Sequence, residues 1–265
     1  MRRAGYVRTR LAPVSICALA LVLFAGGTSS AILIPNPFDN DVLDRYGLDC
    51  EEFVPLAISA DGATDDGRFV TLDVLVLLDG ISKTRGRDVM ATAARSYKPL
   101  GIELRSTFRR VKLQDAEVTS LLDDSREAVG GSRPKGFDVV YTMTSKDLYL
   151  GADGSGDGLG GYAQCIGGVR RPDIAFAIGE GQTPWEADAA DDELSGKFAA
   201  HEIGHLMGAH HHYGNCVEGD GRTEGGGEPS ICTLMWGAVI NLMASNFGTL
   251  EGLVIRGHAI EFAAP

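Results

Sequence analysis

The 265-residue chain has little positive charge and few aromatic residues. It carries 24 Lys and Arg against 36 Asp and Glu, and this formal net charge of −12 disfavours binding to nucleic acid or to an anionic membrane surface. After residue 30 no apolar run approaches the roughly 20 residues that a membrane-spanning helix needs. The sequence also lacks tandem repeats, coiled-coil heptads and a nucleotide-binding fingerprint. What remains is a chain with 44% hydrophobic residues, enough for one sizeable core.

The first 30 residues have the layout of a secretory signal peptide. Residues 1–10 contain four arginines and no acidic residue, residues 11–25 are almost continuously apolar, and small residues follow. An uncleaved membrane anchor is the alternative, although the apolar run is short for a span. We therefore expect export to the extracellular space or periplasm, without stable membrane association after cleavage. Residues 31–67, rich in Pro, Asp and Gly, are interpreted as an N-terminal extension or a short pro-segment.

Residues 68–265 predict one domain in which strands alternate with helices. Predicted strands occupy residues 68–78, 102–108 and 137–143, with helices at 88–100 and 115–129, two further short strands at 160–166 and 173–178, a helix from about 191 to 207 and a closing helix within 244–262. This alternation implies parallel pairing with right-handed crossovers. The predicted fold class is α/β (α+β), built on a five-stranded, mixed but mostly parallel sheet.

Five of the six histidines lie close together, and their spacing predicts a catalytic zinc site. His201 and His205 stand four residues apart, so on a helix both imidazoles project from one face. Gly208 can end that helix with positive φ and turn His211 back as a third ligand. Glu202 can reach a water in the fourth coordination position. Chance clustering in a nonspecific His-rich patch is the plainer alternative.

Other polar residues are weaker candidates for metal ligands. A carboxylate from the later loop could replace the third histidine, but His211 already has the right offset; the candidate carboxylates are Glu218, Glu224 and Glu228. His258 has no ligand spacing and is interpreted as structural. Asp153 and Asp157 could bind Ca²⁺, but their glycine-dense stretch fails the EF-hand spacing, so we interpret it as a surface loop and regard calcium as unsupported.

The segment 201–211 resembles the zinc-binding motif of the metzincin metallopeptidases, whose second mark is a methionine turn beneath the metal. Met235 matches that turn, with Met243 as the alternative. The reprolysin (adamalysin-like) branch is the most similar, because Cys216 follows the third ligand. One departure is His212, which stands where reprolysins usually carry Asp.

The resemblance implies a helix that carries the zinc ligands and a small irregular C-terminal subdomain with the methionine turn and closing helix. It also implies a zinc endopeptidase acting on proteins or peptides, with Glu202 as general base. Gly161, Tyr162 and Ala163 correspond to the edge strand along which an extended substrate would pair. A hydrophobic pocket would receive the side chain just after the scissile bond.

Cysteine usage fits an oxidising compartment. Cys17 lies in the presumed signal peptide, and the even number that remains predicts two disulfides with three conceivable pairings. We favour Cys216–Cys232, which would clamp the loop between the third ligand and the methionine turn, leaving Cys50–Cys165. Cys50 as a latent-state plug on the zinc is a weaker alternative, because no cysteine-switch motif surrounds it.

Two other functions remain open at this point. A secreted binding protein could keep zinc at a non-catalytic site, although such a site has no use for Glu202. A zinc amidase acting on bacterial cell-wall peptides would need the same metal chemistry. Composition and motifs do not separate these from an endopeptidase, because all three would keep the histidines.

Overall fold

A computed structural model describes residues 31–34, 56–59, 69–151, 159–182, 192–210, 216–217, 230–231, 233–235 and 246–263. The strands are β1 (Ala31–Ile34), β2 (Leu56–Ser59), β3 (Val70–Asp79), β4 (Ile102–Val111), β5 (Val139–Thr144), β6 (Gly161–Ala163), β7 (Phe176–Glu180), β8 (Cys216–Val217) and β9 (Ser230–Ile231). The α-helices are α1 (Lys83–Tyr97), α2 (Val118–Ala128), α3 (Asp192–Leu206) and α4 (Thr249–Phe262). Short 3₁₀ turns lie at Lys98–Leu100 and Gly168–Arg170. The predicted signal peptide lies outside the described residues.

The central sheet has five strands in the order β4-β3-β5-β7-β6. The first four are parallel to one another, and β6 pairs antiparallel with β7 at one edge. This confirms the predicted mixed, mostly parallel sheet. The parallel strands arise because each connection between β3, β4 and β5 runs through a helix or a long crossover.

Both faces of the sheet are covered, which explains why β3 reads as an almost continuous apolar run. One face packs Val76 and Tyr141 against helices α1, α3 and α4. The opposite face packs Leu75 and Val140 against α2. Within the described residues, no helix is both long and apolar enough to span a membrane.

Helix α1 begins five residues before its predicted start. Ser82 supplies the N-cap, its Oγ accepting a hydrogen bond from the Arg85 amide at 3.1 Å. Gly86 has low helix propensity, so the sequence did not predict this first turn as helical. The glycine is needed for packing, because a Cβ there would lie 2.8 Å from Leu78 Cδ2. The helix therefore approaches β3 closely at the cost of a residue with low helix propensity.

Two small strand pairs lie outside the central sheet. β1 and β2 pair antiparallel within the stretch predicted as an extension. β8 and β9 pair in parallel between the predicted third ligand and the methionine turn.

Candidate metal centre

Helix α3 crosses the sheet beside β6, and glycines let it come close. Three α3 side chains, one turn apart, each occupy the space that a glycine Cβ would fill. The pairs are Phe198 on Gly160, Glu202 on Gly161 and Leu206 on Gly168, with closest approaches of 2.3, 2.7 and 3.0 Å. Any larger residue at Gly160 or Gly161 would push α3 or its side chains away. The glycines therefore bring Glu202 against the edge strand.

The two helical histidines are buried and fixed by the backbone. His201 and His205 are 8% and 2% exposed, with their rings in a T-shaped arrangement at a centroid distance of 4.6 Å. His201 Nδ1 lies 2.7 Å from Leu234 O, and His205 Nδ1 lies 2.7 Å from Ala209 O. A carbonyl only accepts hydrogen bonds, so each Nδ1 carries the proton. Each Nε2 therefore presents a lone pair.

The two Nε2 atoms lie close to each other. His201 Nε2 and His205 Nε2 are 3.0 Å apart. Burial lowers the pKa of His201 to about 4, so this ring is neutral at pH 7. Two nitrogens bound to one tetrahedral zinc at about 2.0–2.1 Å would lie roughly 3.3 Å apart. The imidazole pair therefore fits a shared zinc ion.

Glu202 is the acidic group beside this pair. It is 7% exposed, and burial raises the pKa of its carboxyl to about 8. A Cβ on Gly161 would lie 2.9 Å from Glu202 Oε1, so the carboxylate touches the edge strand. Among the residues the structure describes, it is the acidic side chain next to both the histidines and β6.

Met235 packs against the histidine-bearing helix, and its assignment to the methionine turn stays a prediction. Its side chain is fully buried, with Sδ 3.1 Å from the position of a Cβ on Gly204. The preceding residue, Leu234, supplies the carbonyl that orients His201. Leu234 N donates to Asn246 O at 2.9 Å, tying this turn to the segment before α4.

Helix α3 ends as predicted by its glycine. Gly208 has φ +90°, and its N–H donates to His205 O at 2.9 Å. A Cβ on Gly208 would meet the His258 ring at 2.4 Å, so His258 packs against the end of the helix. His210 is buried, and burial lowers its pKa to about 4.

Several predicted site residues lie outside the described residues. They are His211, Cys50, Cys232, Asp153, Asp157, Glu218, Glu224, Glu228 and Met243, together with the side chain of Cys216. Without His211, no three His, Cys, Asp or Glu side chains are grouped as metal ligands in the described part of the chain. The third ligand therefore stays a prediction. Cys165 is buried and disulfide-bonded, and its predicted partner Cys50 lies outside the described residues.

Two tyrosines near Glu202 were missed by the sequence reasoning. Tyr97 and Tyr141 are both fully buried, and the charge of Glu202 adds to burial in raising the pKa of each phenol. Tyr97 lies at the end of α1 and Tyr141 in β5, so no local spacing links either of them to the histidine motif. Packing of α1 against α3 brings Tyr97 near Glu202, whereas strand pairing brings Tyr141 there.

Comparison with known proteins agrees with this geometry. Residues 102–212 match the family model of the reprolysin-like metallopeptidases of family M12B, and the match includes the whole predicted zinc motif. The match and the site geometry support a metzincin-like zinc metallopeptidase. The match begins at β4, so this metallopeptidase shares with the family most of the central sheet and α3 as well as the motif.

Two solved structures are similar to this metzincin-like chain. The archaemetzincin from Methanopyrus kandleri is 21% identical with a TM-score of 0.48, covering 74% of this chain and 98% of its own. A zinc-dependent peptidase from Methanocorpusculum labreanum is 19% identical with a TM-score of 0.37, covering 54% of this chain and 85% of its own. No curated protein matches the sequence.

Proposed function

We propose that this metallopeptidase is a secreted zinc endopeptidase in which Glu202 is the general base. The observation that carries the proposal is the imidazole pair, with its two Nε2 atoms 3.0 Å apart, next to a buried carboxylate that touches β6. A structural zinc site would have no use for that carboxylate.

His201 and His205, with His211 as the expected third ligand, would hold the zinc. When bound, zinc would polarise the scissile carbonyl and make water more acidic. Glu202 accepts the proton of the attacking water and then delivers it to the departing amine. Its burial strengthens its affinity for a proton, and an adjacent cation favours the ionised form that catalysis needs.

The substrate would lie along β6. This strand stands at the edge of the sheet and pairs with β7 on one side. An extended peptide can add to such an edge through its backbone N–H and C=O groups. Because Gly161 in this strand touches Glu202, a peptide paired here would pass beside the general base.

Glu202→Gln tests the general base. We expect cleavage of casein to fall by a factor of about 100 to 10,000, because the amide cannot accept the proton. Zinc content should remain at the wild-type value, since no ligand is changed. Glu193→Gln is the matched control: it makes the same substitution on the same helix, at an exposed residue paired with Lys197. A Glu202→Gln protein that cleaves casein at the wild-type rate would refute the assignment.

The same assay separates the rival functions. A wild-type protein that binds zinc but cleaves neither casein nor a peptide library would support a binding protein. Release of amino groups from cell-wall peptides without casein cleavage would support an amidase. Chelator-sensitive casein cleavage is the result we expect.

Secretion is part of the proposal, and the disulfide at Cys165 supports it, since such bonds persist in oxidising compartments. Mass spectrometry of the exported, unreduced protein should find an N-terminus near residue 31. It should also find the peptide links Cys50–Cys165 and Cys216–Cys232. Free thiols at these four positions would contradict both the pairing and the compartment.

A further inference from the structure

A buried phenol stands beside the general base with no partner of its own. Tyr141 is fully buried in β5, and no hydrogen-bond partner in the described structure reaches its hydroxyl oxygen. A buried polar group without a partner destabilises a fold, and such groups are uncommon. We therefore look for a hydrogen-bond acceptor for this hydroxyl in the active site.

A pair of opposing glycines puts this hydroxyl next to Glu202. Gly161 of β6 lies directly opposite Gly179 of β7 in an antiparallel pair, so any side chains on them would point to the same face. A Cβ on Gly179 would lie 2.1 Å from the Tyr141 oxygen, and a Cβ on Gly161 would lie 2.9 Å from Glu202 Oε1. Opposing Cβ atoms are about 4.5–5.5 Å apart. The two absent side chains thus leave adjacent spaces, one filled by the phenol and the other by the carboxylate.

The neighbouring groups leave Glu202 as the acceptor. Burial raises the pKa of Tyr141 well above its usual value, and the charges of Glu202 and then Glu180 raise it further. A phenol with so high a pKa keeps its proton and acts as a donor. Glu180 accepts a hydrogen bond from Leu148 N at 2.9 Å, and its charge raises the pKa of Tyr141 less than the charge of Glu202 does. No donor in the described part of the chain hydrogen-bonds the Glu202 carboxylate, as its pKa shift arises from burial alone.

We propose that Tyr141 is a positioning residue for Glu202: its hydroxyl donates a hydrogen bond to the carboxylate, directly or through one buried water. The bond holds the carboxylate towards β6 and the attacking water. It also explains the glycines at 161 and 179, since alanine at either position would occupy the space that the two oxygens need. The kinetic part of this inference rests on the proposed role of Glu202, and the stability part does not.

Tyr97 provides a matched control. It is another fully buried phenol close enough to Glu202 for that charge to raise its pKa, but its hydroxyl already donates to Ala200 O at 2.9 Å. Tyr141→Phe and Tyr97→Phe each remove one oxygen atom. Only the first should disturb the general base.

Steady-state cleavage of a peptide substrate by the zinc-loaded protein is the first readout. Tyr141→Phe should lower kcat by about tenfold to a hundredfold, the effect of losing a hydrogen bond to a charged group, with KM and zinc content unchanged. Tyr97→Phe should leave kcat within about twofold of wild type and lower the melting temperature. A wild-type kcat in Tyr141→Phe would overturn the proposal.

A double-mutant cycle on thermal unfolding is the second readout and needs no catalysis. The zinc-loaded wild type, Tyr141→Phe, Glu202→Ala and the double variant are compared. We expect the two melting-temperature changes to be non-additive by roughly 5 °C, because the second substitution removes a bond already lost. The same cycle with Tyr97→Phe should be additive. Additivity in the Tyr141 cycle would overturn the proposal, whereas a wild type that cleaves nothing would overturn only the proposed function.

Discussion

The surroundings of each predicted metal-site side chain set its tautomer or its pKa. A carbonyl fixes the tautomer of His201 and another fixes that of His205, so both rings offer the nitrogen that a metal needs. Burial keeps His201 neutral and makes Glu202 a stronger base. These are effects of position, because the same residue types on a solvated helix would have ordinary pKa values.

The pKa of Glu202 predicts a pH effect on stability once zinc is removed. A carboxyl whose pKa is raised from 4.5 to about 8 on folding stabilises the fold below pH 4.5, and this contribution is lost as pH rises towards 8. The glutamine in Glu202→Gln does not ionise, so this variant does not lose stability in that way as pH rises. In chelator-treated protein, the melting temperature of Glu202→Gln minus that of wild type should therefore increase between pH 5 and pH 8.

Thermal unfolding at several pH values measures this difference. Glu193→Gln, at an exposed position on the same helix, is the comparison and should show no such trend. A difference for Glu202→Gln that is constant or falls with pH would show that the carboxyl is solvated in the metal-free fold.

At the scale of elements, glycines decide how α3 meets its neighbours. Gly161 of β6 leaves room for Glu202, and Gly208 ends the helix while the His258 ring packs on its open side. The chain can turn there only because glycine adopts positive φ without a steric penalty. Close approach and chain reversal are thus separate reasons for the glycines around this helix.

Gly208→Ala should destabilise the protein more than the same change elsewhere. The substitution imposes positive φ on alanine, costing about 1–2 kcal/mol, and also places a Cβ 2.4 Å from the His258 ring. Gly131→Ala is the matched control, because Gly131 has φ +93° but nothing within 4 Å of its Cβ position. We expect chemical denaturation to show a loss of about 1–2 kcal/mol for Gly131→Ala and roughly twice that for Gly208→Ala. Equal losses would mean that the ring moves aside freely.

Local patterns predicted the elements and the helical part of the site well. The sheet, its helices and the placement of His201 and Glu202 on α3 followed from spacings within a few residues. The start of α1 was wrong, because Gly86 hid a turn whose close packing on β3 is a tertiary effect. The Leu234 carbonyl and Tyr141 were missed for the same reason: 33 and 60 or so residues separate them from the helix they serve.

For the molecule as a whole, zinc should act as a stabilising ligand. The ion would join two imidazoles on α3, and the Nδ1–H of one of them, His201, donates to the Leu234 carbonyl in the segment that precedes α4. At a zinc concentration 1,000 times its Kd, binding would contribute about 4 kcal/mol. That corresponds to a melting temperature about 10 °C higher than in the metal-free protein.

Differential scanning fluorimetry with and without a chelator measures this shift. Restoring zinc should recover both the melting temperature and casein cleavage, whereas Ca²⁺ should recover neither. Recovery by Ca²⁺ alone would instead favour a calcium site in the glycine-dense loop around Asp153 and Asp157. An unchanged melting temperature after complete zinc removal would contradict the stabilising role.

The bond from His201 to the Leu234 carbonyl also bears on how the protein is made. It joins residues 33 positions apart, so the first imidazole is oriented only after the polypeptide has been synthesised well past the histidine motif and has folded back. A nascent chain that has just emerged with its motif complete still lacks this anchor. The orientation of the first predicted ligand is consequently complete only once the chain up to Leu234 has been made and has folded back.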